Sequence, residues 1–239
     1  MPIISKVIRK VRSVMPNASE LDMVIPPEVI NDAFSQAIRQ FVADPLVHFV
    51  LEIGSSDGSG STASVFAAME GKADRQLHCL ELSKPRFEKL SQRYSMHDWV
   101  HCHNLPSVAR DRMPTPQDVA DFYRRFPESP LCAQKLEKVQ GWLRQDIDYI
   151  DRFQWPNNGI NAARNAAGID TFDLVLIDGS EFTGEAELDE LYGARYVLLD
   201  DTQTFKNHVS LLRLRGDERY ELVAEDATCR NGFAAFRLR

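Results

Sequence analysis

Short runs of apolar residues alternate along the chain with stretches in which apolar and polar positions repeat at helical spacing. The apolar runs cover 46–53, 77–82, 99–103, 172–177 and 195–199. The first run is nearly all apolar, as expected of a strand that is covered on both faces. Helical repeats over 61–71 and 85–94 separate the first three runs. Strands that alternate with helices imply right-handed crossovers and a parallel sheet. The pattern therefore predicts an α/β, Rossmann-like fold with a doubly wound sheet.

The alternation is interrupted between the third and fourth predicted strands. Prolines divide the first part of residues 105–169, and a long amphipathic stretch follows over 133–152. This segment has too few apolar residues for a core of its own, which favours a helical insertion that caps the main core. The last two apolar runs, 220–224 and 232–238, are joined by a polar turn and predict an antiparallel hairpin. Together with the earlier strands, they predict a mostly parallel seven-stranded sheet with an antiparallel C-terminal hairpin.

The N-terminal part predicts two helices before the first strand. Residues 3–15 place apolar side chains on one stripe and basic ones mostly elsewhere, and a second helix opens at Pro26-Pro27 and stops at Asp44-Pro45. We therefore expect one domain over 1–239. Its parts are N-terminal helices at 1–45, a sheet core at 46–104 and 170–239, and the insertion at 105–169, which would cap the acceptor pocket.

The first strand ends in a glycine-rich turn before a helix-forming segment, the arrangement that builds nucleotide-type pockets in open α/β sheets. The turn reads Glu52-Ile53-Gly54-Ser55-Ser56-Asp57-Gly58. A carboxylate at Asp57, about 4 Å from a phosphate oxygen, would be repelled by about 4 kcal/mol at an effective dielectric near 20. The turn also lacks the lysine of a Walker A sequence. It therefore predicts a ligand that carries positive charge and no phosphate.

Acidic residues follow the ends of four predicted strands: Glu52, Glu81, Asp178 and the pair Asp200-Asp201. Because ligands of a doubly wound sheet lie beyond the carboxyl ends of its strands, these side chains should share one rim. Carboxylates gathered in this way destabilise one another unless a cation, hydroxyls or hydrogen-bond donors satisfy them. The rim therefore predicts a binding site for a ligand with cationic and hydroxyl groups.

Glu81 lies 23 residues after Gly58, at the end of the second predicted strand. An acid at that distance is placed to accept hydrogen bonds from both hydroxyls of a ribose. A dinucleotide site would share Glu81 but not Asp57, and the spacing Gly-x-x-x-Gly-x-Gly differs from Gly-x-Gly-x-x-Gly. An NAD(P)-dependent Rossmann oxidoreductase stays open as one alternative function, and a non-catalytic cosubstrate-binding module as another.

Composition and charge indicate which partners the protein can bind and in which compartment it lies. The chain has 239 residues and a formal net charge of −7, which argues against a nucleic-acid partner because phosphate binding needs a basic face. Its four cysteines form no Cys-x-x-Cys pair, as is typical of reduced thiols in a cytoplasmic protein. No run approaches the roughly 18 apolar residues of a membrane span, and the N-terminus lacks the apolar region of a signal peptide. We expect a cytoplasmic protein with no transmembrane segment.

The segment from Glu52 to Gly58 resembles the first motif of class I S-adenosylmethionine-dependent methyltransferases, with Ser56 where many members have glycine. It is most similar to the motif of small-molecule O-methyltransferases. Leu174 to Gly179 is similar to the fourth-strand motif of the family, and the C-terminal hairpin matches the end of its fold. The stretch from Asp178 to Ala194 also resembles the FkbM-like group, which methylates hydroxyls on natural products and glycans. The resemblance implies S-adenosylmethionine as cosubstrate and a hydroxyl of a small molecule or glycan as acceptor.

The same resemblance implies which residues form the site. Those that would contact the cosubstrate are Glu52, Gly54, Ser55, Ser56, Asp57, Gly58, Ser61, Glu81, Leu82, Asn104 and Asp178. Methyl transfer to a hydroxyl is an in-line displacement, which needs a positioned acceptor and a base for the acceptor's proton. The candidates for that base are Asp178, Glu181, Asp201 and His208.

A divalent metal is a second route to activating the acceptor. Catechol-type O-methyltransferases, which the chain resembles at the ends of the fourth and fifth strands, hold a cation with Asp at one end and Asp-Asn at the other. The matching residues are Asp178, Asp200 and Asp201, and such oxygen ligands suit Mg²⁺. In the alternative, Asp178 and Asp200 bind cosubstrate or acceptor and Asp201 caps the next helix. Lys206 and Arg230, near the ends of the last elements, are candidates to hold a polar acceptor, and a homo-oligomer stays open.

Overall fold

The computed structural model describes residues 19–154 and 158–239 and contains one seven-stranded sheet. Its strands are β1 (Phe49–Ile53), β2 (Gln76–Leu80), β3 (Val100–His103), β4 (Leu174–Ile177), β5 (Tyr196–Asp200), β6 (Tyr220–Asp226) and β7 (Phe233–Leu238). They lie in the order β3-β2-β1-β4-β5-β7-β6. The first five strands pair in parallel, and β7 pairs antiparallel with both β5 and β6. The predicted doubly wound sheet with an antiparallel C-terminal hairpin is confirmed.

Helices cover both faces of this sheet. In the described ranges they are α1 (Ala33–Val42), α2 (Ser61–Met69), α3 (Lys84–Tyr94), α4 (Pro116–Arg125), α5 (Leu136–Phe153), α6 (Gly159–Ala167), α7 (Gly184–Leu191) and α8 (His208–Gly216). Apolar residues of α1, α2 and α3 form one buried cluster with the sheet, and those of α6, α7 and α8 form a second. Val50 belongs to the first cluster and Leu51 to the second, because successive strand residues point to opposite faces.

The predicted insertion contains α4, α5 and α6, and its first two helices share a third apolar cluster. Phe122 of α4 and Leu143 of α5 lie in this cluster together with Phe182, which belongs to the loop after β4. The ring of Phe205, in the loop after β5, lies 5.3 Å from that of Phe122. The insertion therefore packs directly on the loops that follow two of the central strands.

The helix predicted to open at Pro26-Pro27 starts later than expected. Helix α1 begins at Ala33, after Asp32, whose carboxylate accepts the N–H of Ser35 at 2.8 Å. Asp32 thus provides the N-cap, and Asn31 before it has φ +50°, a left-handed conformation that interrupts a right-handed helix. The predicted helix at 3–15 lies outside the described residues. No helix within 19–154 and 158–239 is long and apolar enough to cross a membrane.

Candidate active site

A cavity of about 530 Å³ opens at the carboxyl ends of β1, β2, β4 and β5, where doubly wound sheets bind their ligands. The segment 20–29, which begins with a short 3₁₀ helix at Glu20–Asp22, and helix α5 also contribute to its lining. The predicted cosubstrate residues that line it are Gly54, Ser55, Ser56, Ser61, Glu81, Leu82 and Asp178. Three of the four candidate bases line it as well, namely Asp178, Glu181 and Asp201.

The turn after β1 contains three residues with positive φ, namely Gly54, Ser56 and Gly58. Gly54 has φ +88°, and a Cβ at this position would lie 2.0 Å from the carbonyl oxygen of Asp178. Only glycine therefore allows the ends of β1 and β4 to approach so closely. Ser56 has φ +50°, a conformation that favours glycine, which is the residue many family members have there. Its hydroxyl is buried and makes no hydrogen bond within the described chain.

Glu81 ties this turn to the loop after β2. Its carboxylate accepts the N–H of Ser56 at 2.7 Å and the N–H of Ser83 at 2.6 Å. Burial raises the pKa of Glu81, and the nearby guanidinium of Arg86 opposes the shift. Each carboxylate oxygen can accept a further hydrogen bond, so the side chain keeps acceptor capacity toward the cavity that it lines.

The prediction that the Asp57 carboxylate faces the ligand is wrong in this structure. Asp57 accepts the N–H of Ser59 at 3.0 Å, and its other oxygen lies 3.8 Å from the guanidinium of Arg93. A short carboxylate that bonds the backbone two residues ahead closes its own turn. Gly58, which was also predicted to bind cosubstrate, accepts the hydroxyl of Tyr94 on its carbonyl at 2.7 Å. Neither residue is among those that line the cavity.

Two further predicted contacts act on the protein rather than on the cavity. Glu52 is fully buried beneath the turn, where it accepts the hydroxyl of Thr62 at 2.5 Å, and burial raises its pKa. The Asn104 amide donates to the carbonyls of Glu81 at 2.8 Å and Leu82 at 3.0 Å. Neither Glu52 nor Asn104 lines the cavity, so direct contact with a ligand there is not supported. Asn104 holds the backbone of Glu81 and Leu82, which do line the cavity, whereas Glu52 bonds Thr62, whose hydroxyl also lies 3.2 Å from the carbonyl of Ser55.

The acids at the ends of β4 and β5 converge as predicted, around a lysine. Ligand atoms of Asp178, Asp200 and Asp201 all lie within 4.8 Å of one another. The Lys206 ammonium lies 2.8 Å from Asp178 Oδ1 and 2.7 Å from Asp201 Oδ2. The second oxygen of Asp201 accepts the Asn231 amide at 2.9 Å. Donors therefore already satisfy much of this acidic group.

The charges in this group shift one another's ionisation. Burial alone would lower the pKa of Lys206, but the carboxylates of Asp178 and Asp201 raise it well above its usual value. Burial raises the pKa of Asp178, and Lys206 opposes that shift. Burial would also raise the pKa of Asp201, yet Lys206 and Asn231 hold it below its ordinary value. Lys206 and Asp201 thus each shift the pKa of the other toward its charged form.

Asp200 and Arg230 form a second ion pair beside this group. The Arg230 guanidinium donates to Asp200 at 2.6 Å and also to Asp32, the N-cap of α1. Burial and the neighbouring Asp201 raise the pKa of Asp200 to about 6, although Lys206 and Arg230 oppose the shift. The three aspartates therefore share two cations.

The two remaining candidate bases lie in different surroundings. Glu181 lines the cavity, and burial raises its pKa to about 7 while Lys206 opposes the shift. His208 does not line the cavity, because its ring packs 4.3 Å from that of Phe126 and its Nδ1 lies 3.2 Å from the Thr202 carbonyl. The prediction of His208 as a base is therefore wrong in this structure, since α8 turns the ring toward the insertion.

The insertion contributes a polar group, Asp146, that the sequence analysis missed. Asp146 of α5 lines the cavity and accepts the hydroxyl of Ser180, in the loop after β4, at 2.6 Å. Burial raises the pKa of Asp146 to about 6. Trp142 and Ile150, one turn away on either side of Asp146, also line the cavity. Their spacing of four residues was the available signal, because it places all three on one face of the helix.

Solved structures share this fold, although sequence comparison finds no relative. No family model and no curated protein matches the chain. A methyltransferase from Geobacter sulfurreducens is similar over 98% of this chain and 98% of its own, with a TM-score of 0.54 and 9% identity. An O-methyltransferase from Bacillus cereus in complex with S-adenosylhomocysteine is similar over 98% of this chain and 97% of its own, with a TM-score of 0.52 and 12% identity. The chain therefore has the fold of class I S-adenosylmethionine-dependent methyltransferases.

Proposed function

We propose that this protein transfers the methyl group of S-adenosylmethionine to a hydroxyl oxygen of a small molecule or of a terminal sugar on a glycan. The observation that carries the proposal is the meeting of the glycine-rich turn and the Glu81 carboxylate in one cavity at the strand ends. The Bacillus cereus enzyme of the same fold was solved with S-adenosylhomocysteine, the product that remains after methyl transfer. That likeness supports the same cosubstrate for this chain.

Several features of the cavity fit such a cosubstrate. Helix α2 has no side chain that caps its N-terminus, so its first N–H groups are available to a carboxylate such as that of the methionine moiety. The buried Ser56 hydroxyl lacks a protein partner, and Glu81 keeps acceptor capacity for ribose hydroxyls. When bound, S-adenosylmethionine supplies an electrophilic methyl group on a sulfonium. The carboxyl oxygens of Asp178 and Glu81 on the lining are acceptors that are compatible with that cation.

The acceptor must reach the strand-end acids through the part of the cavity beside the insertion. A volume of about 530 Å³ is typical of a site that encloses one drug-sized molecule. The cosubstrate would fill most of it, so we infer that only a small molecule or one end of a larger one enters. Glu181 is the base that we propose for the acceptor's proton, because a pKa of about 7 suits proton transfer near neutral pH.

The residues do not fit a resident Mg²⁺ ion. The oxygen ligands of Asp178, Asp200 and Asp201 are of the right kind, but Mg²⁺ requires them at about 2.1 Å in octahedral geometry. The Lys206 ammonium lies within hydrogen-bond distance of two of these three carboxylates, and Arg230 pairs with the third. A divalent ion would have to displace one cation and lie beside another. We therefore derive no step of the reaction through a metal.

Calorimetry tests the cosubstrate, and labelled methyl transfer tests the reaction. We expect one binding site per chain for S-adenosylmethionine and for S-adenosylhomocysteine, and no binding of NAD. Incubation with methyl-labelled cosubstrate and a panel of phenols, catechols and sugars should label a hydroxyl-bearing acceptor. Binding of NAD without S-adenosylhomocysteine would overturn the proposal in favour of an oxidoreductase. Tight binding with no labelled product across the panel would instead favour a non-catalytic module.

A further inference from the structure

Lys206 occupies an unusual position for a lysine. It follows β5 in the loop before α8, and its side chain is 8% exposed. Its Nζ lies 2.8 Å from Asp178 Oδ1 at the end of β4 and 2.7 Å from Asp201 Oδ2 at the end of β5. Removing a lysine ammonium from water costs several kcal/mol in lost hydration, on the order of the penalty for any buried ion. The two carboxylates supply the opposite charge that compensates for this loss. The lysine is therefore built into the strand-end group rather than lying beside it.

The ammonium and a divalent ion compete for the same carboxylate oxygens. Within the described part of the chain, Asp178, Asp200 and Asp201 are the group whose ligand atoms lie close enough together to hold a metal. Lys206 bonds two of them, and the guanidinium of Arg230 bonds the third at 2.6 Å. Two positive charges thus offset most of the negative charge of the three carboxylates without an added ion. Binding of a divalent cation would place like charges within a few ångströms of each other.

We propose that Lys206 is the resident cation of this site and takes the place of a divalent metal. An ammonium has three N–H donors, and the two bonds to Asp178 and Asp201 leave one for a ligand in the cavity that Lys206 lines. A hydroxyl oxygen of the acceptor is the group that this donor fits. The site would then select acceptors through one charged donor and would not require the adjacent pair of oxygens that chelates a metal.

The role of Lys206 in methyl transfer rests on the proposed function. In that reaction the acceptor oxygen forms a bond to the methyl carbon, and the carbon–sulfur bond breaks with its electron pair going to sulfur. The hydroxyl proton goes to the Glu181 carboxylate. Lys206 stays protonated throughout and donates to the acceptor oxygen, where it orients that oxygen toward the methyl group. Its charge balances the acids at the strand ends before and after transfer.

Metal binding by the stripped protein tests the inference without cosubstrate or acceptor. The full chain is freed of metal with EDTA, desalted and titrated with Mn²⁺, and free Mn²⁺ is followed by electron paramagnetic resonance. We expect the wild type and Lys206→Arg to show no site with a dissociation constant below about 1 mM. Lys206→Ala should gain one site per chain at least about tenfold tighter than any in the wild type. Adding Asp201→Asn to Lys206→Ala should remove that site.

Two controls keep the test decisive. Lys89→Ala, at an exposed position of α3, should bind Mn²⁺ as the wild type does. Circular dichroism checks the fold of each variant, and Lys206→Met replaces Lys206→Ala if the smaller side chain prevents folding. A stoichiometric Mn²⁺ site in the wild type that Asp201→Asn abolishes would overturn the inference. The inference would also be overturned if Lys206→Ala and Lys206→Met fold but gain no Mn²⁺ site.

Methyl transfer supplies a second, independent readout. Turnover by the wild type should be unchanged by EDTA, and Lys206→Met should lose at least about 100-fold in kcat/KM while binding S-adenosylhomocysteine within about twofold of wild type. Turnover that EDTA abolishes and Mg²⁺ restores would overturn the role of Lys206 while the proposed function stood. Failure of S-adenosylhomocysteine to bind would overturn the proposed function, and the Mn²⁺ titration would still decide the inference about the cation.

Discussion

The Glu81 carboxylate accepts the backbone N–H of Ser56 at 2.7 Å and so holds the glycine-rich turn against the end of β2. Ser56 has a positive φ of +50°. A second bond from the N–H of Ser83 fixes the other oxygen of Glu81 at 2.6 Å. One side chain therefore shapes the turn and presents a carboxylate to the cavity.

Replacing Glu81 should weaken cosubstrate binding. Glu81→Ala removes the acceptor of two backbone N–H groups as well as the proposed ribose contact, and we expect at least a tenfold loss of S-adenosylhomocysteine affinity, about 1.4 kcal/mol or more. Glu81→Gln keeps the shape of the side chain but leaves only one acceptor oxygen. Its affinity for S-adenosylhomocysteine should therefore lie between those of the wild type and Glu81→Ala. Calorimetric titration measures the affinity. Glu88→Ala, exposed on α3, is the matched control, and an unchanged affinity in Glu81→Ala would contradict the assignment.

The rate of methyl transfer should depend on the ionisation of Glu181. Burial raises the pKa of Glu181 to about 7, and a base must be ionised to accept a proton. Below that pH the Glu181 carboxyl is protonated in most enzyme molecules, which are therefore inactive. The value of kcat/KM should accordingly rise with pH and level off above about 7. Glu181→Gln should lose about 100-fold or more and the rising limb with it. Glu185→Gln, exposed on α7, should keep the wild-type profile, and a rising limb that survives in Glu181→Gln would exclude this base.

The strand order and the position of Glu81 at the site could be predicted from the sequence. Apolar runs between amphipathic helices leave few parallel arrangements, and an acid that ends the second strand must lie at the rim. The pairing of Lys206 with Asp178, 28 residues earlier, was beyond reach because it depends on how the loop after β5 folds under the insertion. The prediction of a contact between Asp57 and the ligand is wrong for a related reason. Nothing in the residue spacing indicated that Ser59 and Arg93 would bind the Asp57 carboxylate.

The half-buried Asp146 carboxyl should make stability depend on pH. Its pKa is raised to about 6, so as pH rises from the ordinary Asp range the unfolded chain ionises first and the free energy of unfolding falls until about pH 6. Asp146→Asn removes this dependence, and the variant should gain stability relative to wild type as pH rises through that range. Urea unfolding at several pH values measures the effect. Asp148→Asn, exposed on the same helix, is the control, and parallel curves for Asp146→Asn and wild type would contradict the argument.

Removing the Arg230 side chain should destabilise the fold through Asp200. Arg230→Met leaves Asp200, which is 3% exposed, without its 2.6 Å partner, and an uncompensated buried charge costs about 3–5 kcal/mol. With Arg230 present the pKa of Asp200 is already about 6, so well below that pH the carboxyl is protonated and little charge is stranded. The loss of unfolding free energy should therefore be larger above pH 6 than below it. Arg237→Met breaks an exposed pair with Glu221 and should change stability little at either pH. An equal loss for Arg230→Met on both sides of pH 6 would show that its contact with Asp32 or the packing of its side chain, rather than the charge of Asp200, carries the effect.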